Sequence, residues 1–208
     1  MLRYTLVADG RSDRTLIAIL DWLIEQHWDR SYQSNFAEHL PPLSSGLKHR
    51  IDVAFELYPC DILFVHRDSE AQPRGTRVEE ISSAMPDRIG NYVPVVPVRM
   101  TEAWLLSNQQ AIRDAAGNPK GRNALHLPNW RRWDRLPDPK TTLLEAIEHA
   151  SGLTGRRLAN FSARRHRLRV AELTMDFSPL RQLEAFRLLE DDIVEALAPE
   201  RLASVLVE

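Results

Sequence analysis

The sequence predicts an α/β protein: a mainly parallel sheet flanked by helices, followed by a C-terminal helical lobe. Three observations carry this. Ile62 to Val65 is a short apolar run between helical segments, which reads as a fully buried parallel strand. Strand-like and helix-like segments alternate from Leu2 to Leu106, the pattern of a parallel sheet with crossover helices. Beyond that the texture turns polar and then helical. Residues 1–116 read as the α/β domain and 117–208 as the lobe packed on it; with no flexible linker between them, one compact unit is equally compatible.

Leu2 to Ala8 is the first strand, and Asp9-Gly10 is a turn signal. Ser12 is a candidate helix cap, with Asp13 in the first turn, where the helix dipole favours a negative charge. Leu16, Ile17, Leu20, Leu23 and Ile24 recur at helical spacing. Ser31 to Ala37 predicts a strand of mixed polarity at a sheet edge. Leu47, Ile51, Ala54, Phe55 and Tyr58 form the stripe of a second helix. A third spans Arg77 to Arg88. Tyr92 to Val98 is a further buried strand, whose Pro94 and Pro97 suit an irregular or edge position. Thr101 is placed to cap the next helix. Asp138-Pro139 opens another, with a cap followed by proline at the first position. Arg156 to Met175 predicts one basic helix, and Ser178-Pro179 begins a last one running to about Leu197.

Composition narrows the classes of function. The 208 residues are 43% hydrophobic and 27% charged, ordinary for a globular chain, and the net charge of −2 favours no partner. No apolar run is long enough to span a bilayer, so no membrane partner is expected. Met1 to Ala8 lacks the long apolar region of a signal peptide. The one cysteine, Cys60, excludes an internal disulfide and fits a reducing, cytoplasmic setting; it reads as structural.

Chemistry collects where strands end. Asp9, Asp13, His66, Asp68, Glu70 and Glu102 all follow predicted parallel strands, at the sheet edge where α/β proteins bind ligands. Carboxylate oxygens there suit Mg2+ or Mn2+; the same residues also fit a solvated loop. Arg156, Arg157, Arg164, Arg165, Arg167 and Arg169 crowd one segment, as a solvated face or as a contact for nucleic-acid phosphates. Trp130 and Trp133, among arginines, can stack bases or pin a loop. Trp104 reads as core. Lys140 sits in a first helical turn, where a cation is disfavoured, which points to a role beside the acidic site or on a phosphate.

An acidic residue and glycine after the first strand, with spaced acidic residues after a later one, resembles a Toprim domain. The pattern is more similar to an uncharacterised Toprim-like family of bacterial proteins, some encoded near phage-defence genes. The residues that carry this are Gly10-Arg11-Ser12-Asp13, Asp68, Glu102-Ala103-Trp104-Leu105-Leu106, Pro139-Lys140, and Ser178 through Phe186. The resemblance implies a Toprim-like sheet and a metal-dependent phosphodiesterase or nuclease acting on nucleic acid. Its divalent cation would be held by Asp9, Asp68, Glu70 and Glu102. Asp9, Asp68, Glu102 and His66 would do the chemistry, His66 as ligand or proton shuttle and Glu102 as ligand or base, with Asp13 and Lys140 behind them. The chain departs from the Toprim pattern in two places: Asp9 stands where Toprim domains have glutamate, and His66 stands at the first acidic position of the later strand. Those departures equally fit a non-catalytic subunit that binds a partner protein or nucleic acid.

Overall fold

The computed structural model describes residues 1–69, 72–98 and 100–204, with backbone alone for 203 and 204. Four strands, β1 (Leu2–Val7), β2 (Tyr32–Phe36), β3 (Ile62–His66) and β4 (Tyr92–Val95), form one sheet in the order β2-β1-β3-β4. Every neighbouring pair is parallel, with Tyr4 opposite Ile62, Val7 opposite Val65, and His66 opposite Val95. β1 and β3 are the two central strands; β3 is buried along its whole length.

Ten α-helices are described: α1 (Leu16–His27), α2 (Leu47–Leu57), α3 (Arg74–Ala84), α4 (Glu102–Leu105), α5 (Gln109–Ala115), α6 (Pro139–Ser151), α7 (Gly155–Ala159), α8 (Ala163–Leu173), α9 (Glu184–Ala196) and α10 (Pro199–Ser204). Strand periodicity sorts the sheet into two faces. Tyr4, Leu6, Ile62, Phe64, Val93 and Val95 point to one, where α1 and the helices after β4 pack in a single apolar cluster. Val7, Leu63 and Val65 point to the other, against Ile51 and Ala54 of α2 and Ile81 of α3. Trp104 is fully buried on the first face, edge-on to Phe186 of α9 at 5.4 Å between ring centroids. None of the described helices is long and apolar enough to cross a membrane.

Boundaries differ from the sequence reading where local backbone chemistry intervenes. The first helix is preceded by a 3-10 turn, Arg11–Thr15, with Gly10 rather than Ser12 at its cap position. Thr101 has helical dihedrals and makes no cap bond, so α4 lasts one turn and the chain restarts at Asn108, whose side chain accepts from the Ala111 N–H at 3.0 Å. The third helix spans Arg74–Ala84 instead of reaching Arg88, and β4 stops before Pro97. The basic segment is two helices, α7 and α8, parted at residues 160–162. Leu183 is extended (φ −92°, ψ 131°), which divides the last predicted helix into a 3-10 turn, Ser178–Gln182, and α9. Asp138 caps α6 as expected, its Oδ1 accepting from the Thr141 N–H at 2.9 Å, and Gly152 ends it in the left-handed region at φ 66°.

Truncation of the central aromatic tests this packing. Trp104→Ala should lower the unfolding free energy by about 3–5 kcal/mol, the usual cost of removing a fully buried aromatic, measured by urea denaturation.

Candidate active site at the carboxyl edge of the sheet

The helix after β1 packs on one face of the sheet and the helix after β3 on the other, so the chain parts between these two neighbouring strands. Such a crevice at the carboxyl ends of parallel strands is where open α/β sheets place their ligands. Asp9 follows β1. His66 ends β3 and Asp68 follows it. Glu102 opens α4, and Asp13 lies in the 3-10 turn.

Each carboxylate but one has a defined partner. Asp9 Oδ1 lies 3.3 Å from both Arg50 Nη1 and Arg67 Nη1. Arg67 also reaches Glu80 Oε1 at 3.2 Å. Glu102, buried, accepts from Arg167 of α8. Asp13 closes its own loop: its Oδ2 accepts from the Gly10 N–H at 2.9 Å and its Oδ1 from the Ser12 hydroxyl at 3.1 Å. Asp68 is the exception. Its carboxylate Oδ1 is buried and has no hydrogen-bond partner among the described residues, although His66 Nε2 stands 3.5 Å away.

His66 is oriented by the sheet itself. Its Nδ1 is 2.9 Å from the Val95 carbonyl, which only accepts, so Nδ1 carries a proton and Nε2 faces Asp68. Burial pushes the Asp68 carboxyl up to about 6; the negative charges of Asp13, Glu102 and Asp9 add to this, and His66 opposes it. Asp68 is therefore a group that can take or give a proton near neutral pH, with His66 Nε2 facing it.

The predicted residues divide as follows. Asp9, Asp13, His66, Asp68 and Glu102 are brought to one edge. Glu70 lies outside the described residues. Lys140 is half-buried in the first turn of α6 and makes no ion pair among the described residues. Arg156 and Arg157 are exposed on α7; Arg164, Arg165 and Arg169 are exposed on α8, while Arg167 turns inward to Glu102. α8, which carries Arg164, Arg165, Arg167 and Arg169, packs against the Arg11–Thr15 turn. Trp133 is buried, its indole N–H donating to the Pro128 carbonyl at 3.0 Å, so it pins the loop; Trp130 is half-buried, with the Arg131 guanidinium 4.7 Å from its ring centroid. Cys60 is buried and its thiol is pushed up to about 11 by that burial, which leaves it unreactive.

Sequence reasoning missed the arginine that anchors Asp9. Arg50 is buried on α2, donating from Nη2 to the Ala8 carbonyl at 2.8 Å and from Nε to the Pro41 carbonyl at 3.1 Å. The signal was present: Arg50 lies four positions before Ala54, on the inward stripe of an amphipathic helix.

Oxygen donors of this kind suit a hard divalent cation, and the unpartnered Asp68 oxygen is a free ligand atom. Yet among the described residues no three His, Cys, Asp or Glu side chains gather closely enough to hold a metal ion. Asp9 and Glu102 are instead turned to arginines. The donor class therefore fits, and occupancy would require those carboxylates to exchange their arginine partners. No family model matches the chain, and no curated protein or solved structure matches it.

The raised Asp68 carboxyl gives a signed prediction. Its folded value, about 6, lies above the ordinary 3.8, so ionisation opposes folding. The penalty is absent below about pH 3, where both states are protonated, grows between the two values and is complete by about pH 7. Asp68→Asn should be the more stable protein at pH 7, by about 1–3 kcal/mol, and should match the parent at about pH 3. Urea titrations of both proteins at the two pH values measure this.

Proposed function

We propose that this chain is a Toprim-like, metal-dependent phosphodiesterase of the nuclease type, acting on nucleic acid in the bacterial cytoplasm, with phage defence as its setting. The observation that carries the reading is the buried, unpartnered Asp68 oxygen at the switch-point crevice, ringed by three other carboxylates and flanked by arginines. A phosphodiester brings negative charge to that edge. Arg67 and Arg167 can pass from their carboxylates to phosphate oxygens, which bind guanidinium in the same forked geometry. Asp9, Asp68 and Glu102, so released, would hold Mg2+ or Mn2+. When bound, such an ion supplies charge neutralisation at the phosphate and a more acidic water. Glu70 belongs to this ligand set by its place in the sequence. His66, fixed by the Val95 carbonyl, moves a proton at Nε2. The exposed Arg156, Arg157, Arg164, Arg165 and Arg169 hold the backbone on either side.

A second reading has its own support. The arginine pairs at Asp9 and Glu102 already neutralise the acidic edge without a cation. In that case the chain is a non-catalytic subunit that binds nucleic acid or a partner protein through its basic helices.

Two measurements separate the readings. With Mn2+, the protein should cleave labelled oligonucleotides and melt at a higher temperature, because the metal binds only the folded state; Asp68→Asn should lose both. Melting curves that ignore Mn2+ and Mg2+, with no cleavage, would leave the binding reading alone.

For either reading, affinity for nucleic acid should fall steeply with salt. Replacing Arg164, Arg165 and Arg169 with alanine should reduce the slope of log affinity against log salt by about 2–3, close to one per lost phosphate contact. Unchanged affinity and slope would remove the basic helices from the interface.

A further inference from the structure

We propose that the pocket between the ends of β1 and β2 receives one unstacked base of a single-stranded nucleic acid whose phosphate lies at the Asp9–Asp68 edge, an inference that rests on the phosphodiester reading above. A cavity of about 230 Å³ opens beside Ala8, Asp9 and Gly10, so it shares a wall with the carboxylate crevice. Asp9 belongs to both, so a group held there lies against one of the edge carboxylates.

The lining has the two characters that a heterocycle needs. Phe36, Leu40 and Leu43 supply an apolar wall. Leu43 is 54% exposed, an apolar side chain presented to solvent, and Pro41-Pro42 stiffens the loop that presents it. Arg50 borders the same space as a buried guanidinium whose nitrogens are tied to Pro41, Ala8 and Asp9. Held in this way, Arg50 places a fixed positive charge on the cavity wall.

The polar rim completes the recognition. Glu38 gives one oxygen to Arg14 at 2.5 Å, and its other oxygen can accept from a base amino group. Arg11 is exposed and has no ion-pair or hydrogen-bond partner among the described residues, so it is available to the phosphate next to that base. Volume limits the occupant. The cavity lies below the usual range for drug-sized ligands, about 300–1,000 Å³, and takes one ring system rather than a stacked pair. A base inside a duplex is covered on both faces, so the pocket selects single strands or frayed ends.

The test is a binding titration by fluorescence anisotropy at low salt, without metal. The probes are a short fluorescein-labelled single strand of mixed sequence, the same strand made wholly abasic, and its duplex. The proteins are the parent, Leu43→Ser and Leu43→Trp; position 43 is exposed and lies outside the carboxylate crevice. The parent should bind the intact strand about tenfold more tightly than the abasic strand, the worth of one stacked base. It should also prefer the intact strand to the duplex. Leu43→Trp, which plugs the mouth, should erase that preference while leaving abasic affinity unchanged, and Leu43→Ser should weaken it. Equal binding of intact and abasic strands by the parent overturns the pocket and leaves the phosphodiester reading standing. Preference retained in full by both variants, or duplex bound as tightly as the single strand, overturns the pocket as well. Failure to bind any of the three overturns the pocket, and the Mn2+ cleavage and melting measurements then decide the phosphodiester reading separately.

Discussion

The handedness of crossover connections decides where this protein can do chemistry. Parallel strands joined through a helix are connected in one hand almost without exception. β1 leads to β2 in one direction, whereas β2 to β3 and β3 to β4 run in the other, so α1 must lie on the face opposite α2 and α3. The chain therefore divides between β1 and β3, the two central strands, whose register sets Val7 beside Val65. Two residues beyond Val7 is Asp9; three beyond Val65 is Asp68. No long-range attraction has to assemble these side chains, because sheet registry and the reversal of winding deliver them to the same gap.

Once delivered, they repel. The protein answers with guanidinium groups drawn from three separate places: Arg50 from α2, Arg67 from the end of β3, and Arg167 from α8 in the lobe. Removing one member of such a buried pair leaves a lone charge, which costs far more than the pair contributes. Asp9 and Glu102 are thus paired with cations, Asp13 is held by neutral donors, and Asp68 is accommodated by favouring its protonated form. Phosphate oxygens compete for the same arginines on equal geometric terms. Ligand binding at this edge is then an exchange of partners, and the bulk charge of the chain gives no hint of it.

The sheet was legible in the sequence because its signals are local. Ile62 to Val65 is apolar and short, β2 is polar enough to be an edge, and Pro94 marks the other edge. Asp9 and Asp68 were found for the same reason, since each closely follows a strand, and Asp13 and Glu102 because they open the turn or helix that comes next. What escaped was set by distant contacts or by single backbone dihedrals. The partnership of Arg167 with Glu102 spans two parts of the chain and leaves no periodic trace. Breaks at residues 160–162 and at Leu183 lie inside segments whose composition is uniformly helical, so helix propensity alone carries through them. The pocket at β1 and β2 is built largely by loop residues 38–43, where periodicity says nothing.

The long reach of α9 has a consequence for how the chain is made. Its last turn is tied to the amino edge of the sheet: the Asn91 side-chain amide donates to the Ala196 carbonyl at 3.0 Å and to the Asp61 carbonyl at 3.2 Å. Phe186 from the same helix closes over Trp104. A ribosome delivers the strands first, and at about 5–20 residues per second the helix that covers them follows on the order of ten seconds later. During that interval α1 already lies on that face over Tyr4 and Leu6, while β4 and Trp104 still lack the cover that α9 brings. The exposed part of the nascent sheet is therefore the β4 side, and it closes only when α9 has been made.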